Sequence, residues 1–179
     1  MRQKEEAKDR IARACLEMLK TTSLDALRAQ DLMEKAGVSR STFYRLFPDK
    51  YEVVNWIYKH KVDQIIKENP NLRDWKEWTV AVHAYMRQHK QFFRNIASYQ
   101  GQNSFCEFLC GYFANNTLRT RNDPDAKVTE DQLYGIRAFS LIAAHATIDW
   151  ILNDFKPDDA TLIRRQELCI PEFIRHFYD

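Results

Sequence analysis

Glycine and proline are scarce in this chain, with four and five residues in 179. A β-sandwich needs many turns and is poorly served by so few breakers. Long helices joined by short connections are expected instead. Cysteine is also sparse: only Cys15, Cys106, Cys110 and Cys169 are present. No spaced Cys/His set accompanies them, so neither a disulfide framework nor a metal site is expected, and no cofactor is assigned. An excess of charge is missing too. The net charge is +2, too small to announce a nucleic-acid partner by itself. No uninterrupted apolar run approaches a membrane span, and the first residues are charged rather than signal-like. A cytoplasmic chain that does not engage a membrane is expected. No nucleophile, base and oxyanion loop are placed together, so no catalytic residue is assigned and no enzyme is expected.

What the chain has is material for a core: 45% hydrophobic and 13% aromatic residues. The small basic excess is uneven. Residues 1–50 carry 11 Lys and Arg against 8 Asp and Glu, and the remainder 16 against 17. Apolar spacing predicts a helix over 4–20, through Ile11, Ala14, Cys15, Met18 and Leu19, and a second over about 29–36. A long helix is predicted over about 51–69. Further helices are expected near 73–89, 91–99, 104–120, 129–154 and 158–177. The breaks between them fall at Asn69-Pro70-Asn71, Gly101, Asn122–Asp125 and Lys156–Asp159, and Pro171 is expected to kink the last helix.

The most informative stretch is KAGVSRSTFYRLFPDK, Lys35 to Lys50. Gly37 suits a left-handed position just past a helix end. Ser39 reads as the N-cap of a short helix. Ala36, Val38 and Phe43 close the apolar inside of a helix-turn-helix. Arg40, Ser41, Thr42, Tyr44 and Arg45 remain on or near its outer face. Pro48 stops the helix and Asp49 caps the next. A short helix offering these groups matches what the DNA major groove presents.

This stretch resembles the DNA-binding signature of the TetR family of bacterial transcriptional regulators: Ala36-Gly37-Val38-Ser39, the Phe43-Tyr44 pair, Phe47, then Lys50 opening a fourth helix. The likeness reaches back to Ile11–Leu19. It implies an all-α protein with a helix-turn-helix DNA-binding domain at 1–50 and a helical regulatory and dimerisation domain at 51–179. It also implies a double-stranded DNA operator, a homodimeric repressor and a small-molecule effector. Arg40 and Thr42 are then the expected base readers. Ser39, Ser41, Tyr44, Arg45 and Lys50 complete the DNA-binding set, with Ser41, Tyr44 and Lys50 on phosphates. Arg28 replaces the usual Thr or Ser cap and Leu46 a polar residue, although a guanidinium at 28 still reaches a phosphate. These two departures keep a second reading open, a coregulator of the same fold acting through a protein partner.

The rest of the chain is less specific. Ala143, Ala144 and Thr147 allow close helix approach, and Ile142, Ile148, Trp150 and Ile151 add apolar area. With Ile170, Phe173, Ile174 and Phe177 they are the expected dimer surface, against the plainer alternative of an internal core. Trp78, Tyr85, Phe93, Phe105, Phe108 and Tyr112 line either a core or an effector pocket; the pocket comes from the resemblance.

Overall fold

The computed structural model describes residues 2–69, 75–120 and 126–178, and the side chains of 6–69, 75–119 and 126–178. The expected breaks at Pro70-Asn71 and Asn122–Asp125 lie outside the described residues. Among the described residues there is no strand. The helices are α1 Arg2–Met18, α2 Ala29–Ala36, α3 Arg40–Leu46, α4 Lys50–Glu68, α5 Trp75–Gln88, α6 Lys90–Ala97, α7 Phe105–Thr120, α8 Glu130–Leu152 and α9 Asp159–Leu168. A 3₁₀ helix at Glu172–Phe177 follows.

The chain divides into two compact units. The first runs to Gln64 and takes His89–Phe105 as well; the second holds Ile65–Gln88 and the chain from Cys106 on. Helix α6 is thus built into the unit that carries α1–α3. It is strongly amphipathic, and Phe92, Phe93, Ile96 and Ala97 are buried. The same unit buries Ile11, Cys15, Leu19, Leu24, Leu27, Leu32 and Phe43, with Phe47, Val53 and Val54 beneath. Gly37 ends α2 at φ 61°, ψ 44°. The N–H of Val38 then reaches the Met33 carbonyl at 3.0 Å, closing the helix end.

In the second unit α8 packs on Ala114, Ile170 and Ile174 through Ile136, Phe139 and Ala143. It is the one helix among the described residues long and apolar enough to cross a bilayer, although more than half of its most apolar window is buried inside the protein. Scattered charges hid it from a search for uninterrupted apolar runs. A Cβ on Gly135 would lie 2.7 Å from the Phe173 ring, so glycine permits the close approach of the terminal 3₁₀ helix. The last helix is broken rather than kinked. Pro171 has no N–H to continue the ladder, and α9 stops at Leu168 before the chain restarts as 3₁₀.

One cluster ties α5 to α9. His83 Nδ1 lies 2.8 Å from Asp159, and Arg87 pairs with the same carboxylate at 2.7 and 2.9 Å. Both side chains pack on Trp150, His83 with ring centroids 4.2 Å apart and the Arg87 guanidinium 4.9 Å from the ring centroid. Burial alone would raise the Asp159 pKa, but its hydrogen bonds to His83 and Arg87 hold it well below the usual carboxylate range.

The four cysteines are free. Burial pushes Cys15 up to about 12 and Cys110 up to about 11, and raises Cys106, so these thiols stay protonated at neutral pH.

Candidate nucleic-acid interface

Helix α3 is held by its N-cap and its buried residue. Ser39 Oγ accepts the Thr42 N–H at 3.2 Å and donates to Thr42 Oγ1 at 3.0 Å. Ser41 Oγ lies 3.0 Å from Ser39 Oγ, so three hydroxyls form one small network. Phe43 points inward and is fully buried, its ring edge-on to Tyr44 at 5.3 Å. A seven-residue helix with one buried aromatic must leave most other positions outside. Ser39, Arg40, Ser41, Tyr44 and Arg45 are exposed, and Thr42 is half-buried. The Arg40 guanidinium lies 5.3 Å from the Tyr44 ring centroid, which places cation and phenol side by side. No acid occurs in α3, so its outer face carries only positive charge.

Without a cap hydroxyl, the start of α2 keeps the other half of a capping box, the N3 side chain reaching back to the N-cap. Asp31 accepts the Arg28 backbone N–H at 3.3 Å and pairs with the Arg28 guanidinium at 2.7 and 3.1 Å. The hydrogen bond from Arg28 lowers the Asp31 pKa. Arg28 itself remains 74% exposed, so it is tethered rather than hidden. Lys50 behaves differently. Its Nζ donates to the carbonyls of Leu24, Asp25 and Leu27 at 2.7, 3.0 and 2.8 Å. All three N–H groups are engaged inside the protein. Burial lowers the Lys50 pKa, partly offset by Asp25 and Asp49.

Other expected site residues fall elsewhere. Phe93 and Phe105 are fully buried in the first unit, rings 6.1 Å apart, with Phe105 also against Tyr58. Trp78, Tyr85, Phe108 and Tyr112 belong to the second unit. There burial pushes Tyr85 up to about 12, and Phe108 stacks on Tyr112 at 5.5 Å. The six aromatics therefore do not form one lining within either unit. A depression of about 500 Å³ lies instead against Thr129, Asp131, Gln132, Tyr134 and Phe173.

Of the expected dimer residues, Ala143, Ala144, Thr147, Trp150, Ile151, Ile170 and Ile174 are buried in their own chain. They serve the internal core, the plainer of the two alternatives. Phe173 is 51% exposed and Phe177 half-buried. The outer stripe of α8 holds Tyr134, Leu141, Ile142 and Leu152, and Leu168 is exposed on α9. Of this stripe, sequence reading picked out Ile142 alone, because α8 is apolar nearly all round. Its periodicity cannot tell inside from outside.

Two family models match this chain, one near each end. Residues 11–56 match the family model described as bacterial regulatory proteins, tetR family. Residues 73–170 match one described as transcriptional regulator C-terminal region. A curated relative, the HTH-type dhaKLM operon transcriptional activator DhaS of Lactococcus lactis subsp. lactis (strain IL1403), is 23% identical over 86 residues, 48% of this chain. That match spans 46% of the relative, about half its length. Among solved structures, a dihydroxyacetone kinase operon activator DhaS superposes with TM-score 0.62 at 17% identity, over 92% of this chain and 96% of that one. A TetR regulator from Rhodococcus sp. RHA1 gives 0.64 at 14% identity, over 95% and 98%. One from Streptococcus agalactiae 2603V gives 0.54 at 16%, over 92% and 93%.

Proposed function

Because the chain belongs to the TetR family of bacterial transcriptional regulators, and is a regulator rather than an enzyme, we propose that it reads a pseudo-palindromic DNA operator through α3, as a cytoplasmic homodimer. The observation that carries this reading is the outer face of α3: capped at Ser39, free of acids, and exposing Arg40, Ser41, Tyr44 and Arg45 together. Arg40 and Thr42 are the base readers, an arginine suiting guanine and a threonine a thymine methyl or an acceptor. Ser41 and Tyr44 hold phosphates, and Arg45 adds a cation at the same face. Arg28 reaches a phosphate only in competition with Asp31. Lys50 fastens the connection above it and holds no phosphate. On this reading residues 1–50 form the head, and 51–179 serve regulation and dimerisation.

Two copies are needed because one seven-residue helix offers few contacts. A dimer presents two, about one helical turn of DNA apart. The dimer surface is the outer stripe of α8 with Leu168 and Phe173. This is supported by the exposure of Tyr134, Leu141, Ile142 and Leu152 on a helix apolar enough to be buried all round. A small-molecule effector bound in the second unit shifts the population of heads that fit DNA. Repression is the expected outcome of operator binding. The likeness to DhaS, named as an activator, makes activation the alternative sign.

A second reading rests on Arg28 and Lys50. Both phosphate-side cations are engaged, by Asp31 and by three carbonyls. A coregulator that acts through a protein partner needs neither. Selection of double-stranded DNA from a random pool by the full-length protein separates the two. An enriched inverted repeat supports the operator reading. No enrichment at low salt, with a stable protein partner recovered, supports the coregulator.

A further inference from the structure

The connection between α1 and α2, residues 19–28, carries carbonyls that lie past the end of one helix and before the next, where no helical N–H is available. Five of them are met by two side chains from far along the chain. Lys50 takes Leu24, Asp25 and Leu27. Asn95 Nδ2 donates to Leu19 at 2.5 Å and to Thr22 at 3.2 Å. Both partners are acceptors, which fixes which end of the amide faces them. Its other end agrees, since Gln91 Nε2 lies 3.5 Å from Asn95 Oδ1.

Asn95 sits on α6, which is anchored by its buried Phe92, Phe93, Ile96 and Ala97. A second tie lies just beyond. Tyr99 stacks on Tyr51 at 5.1 Å, and their hydroxyls are 3.0 Å apart. Tyr51 is the residue after Lys50. The α6 region therefore grips the head at two places, the end of α1 and the start of α4. Above that grip, Lys35 pairs with Glu17 at 3.0 Å, joining α2 to α1, and only Gly37-Val38 separates α2 from the Ser39 cap of α3. A change of angle at the end of α1 thus carries α2 and α3 with it.

We propose that Asn95 is a positioning residue for DNA reading: a remote cap that sets the end of α1 and, through it, the attitude of α3. It touches no DNA. The proposal rests on the assignment of α3 as the reading helix, so its test has one arm that does not use DNA. The full-length protein is compared with Asn95→Asp, which keeps the shape and removes both N–H donors, and with Asn95→Leu, which adds no negative charge. Amide hydrogen exchange over residues 19–28 should accelerate roughly tenfold in both variants, with α8 unchanged. Affinity is then measured on a duplex selected by the wild-type protein, well below the unfolding temperature. It should fall roughly tenfold while the salt slope keeps its wild-type value, because no phosphate contact is lost. A purely structural role lowers the melting temperature but leaves the affinity of the folded protein alone.

Wild-type exchange over residues 19–28 overturns the proposal. So does accelerated exchange with wild-type affinity. A loss in Asn95→Asp but not in Asn95→Leu assigns the effect to repulsion and also overturns it. If the Asn95 variants lose affinity while Arg40→Ala does not, the reading helix has been misassigned. The remote cap then still stands on the exchange data.

Discussion

Lys50 Nζ lies 2.7 Å from the carbonyl oxygen of Leu24, 26 residues before it, and its other two protons meet Asp25 and Leu27. The ammonium at the start of α4 therefore serves as a fastening for the chain that leads into α2. Replacing it with methionine keeps the aliphatic stem and removes three charged donors. Lys50→Met should cost about 1–3 kcal/mol in urea unfolding, since the partly exposed carbonyls recover some hydration. The salt slope of DNA binding should not change. A slope lower by about one would return Lys50 to the phosphates.

His89, at the junction of α5 and α6, is held neutral. Burial lowers its pKa below 6.5, and Lys20 and Lys61 lower it further. The unfolded chain then binds the proton more readily than the folded one. Stability should be full above about pH 6.5 and decline as pH falls from there toward the depressed folded value. His89→Gln should flatten this decline below about pH 6.5 in thermal melts. A variant with the wild-type pH profile would show that other groups set it.

Asp159 anchors the cluster on Trp150. Asp159→Ala leaves His83, with a side chain 4% exposed, and Arg87 without their common partner. Because Arg87 is 36% exposed, the loss should be about 2–3 kcal/mol rather than the full figure for a buried pair. The wild-type Asp159 pKa is depressed, so its contribution is present above the unfolded carboxylate value and is lost as pH falls below it. Unfolding midpoints at pH 7 and pH 3 check both statements: the gap between variant and wild type should narrow in acid.

Ile142 is 47% exposed on the outer stripe of α8. Ile142→Glu places a charge where the proposed dimer needs apolar contact. Sedimentation should show a shift to monomer, with helicity by circular dichroism unchanged. Retained dimer would move the interface elsewhere.

The head was legible because its signals are local. Gly37, Ser39, Pro48 and Asp49 act on neighbours within a few residues, and Phe43 shows its inward face by spacing alone. The pairing of Asp31 with Arg28 was also within reach, three residues apart. Lys50 was expected on a phosphate because an ammonium near a DNA-binding helix suggests one. Its carbonyl partners lie 23 to 26 residues away, and sequence spacing says nothing of them. The same holds for Asn95 with Leu19, at 76 residues. In α8 the ambiguity had another cause. Small residues such as Ala143 and Thr147 suit a core and an interface equally well, and an apolar helix has no polar side to orient it.

Salt dependence of operator binding by the full-length protein tests the central claim most directly. Affinity for a selected duplex, read by fluorescence anisotropy, should fall steeply with salt, and Arg40→Ala should weaken it by about 1–3 kcal/mol. Wild-type affinity and slope in Arg40→Ala and Tyr44→Phe alike would contradict the assignment of α3 as the helix that reads DNA.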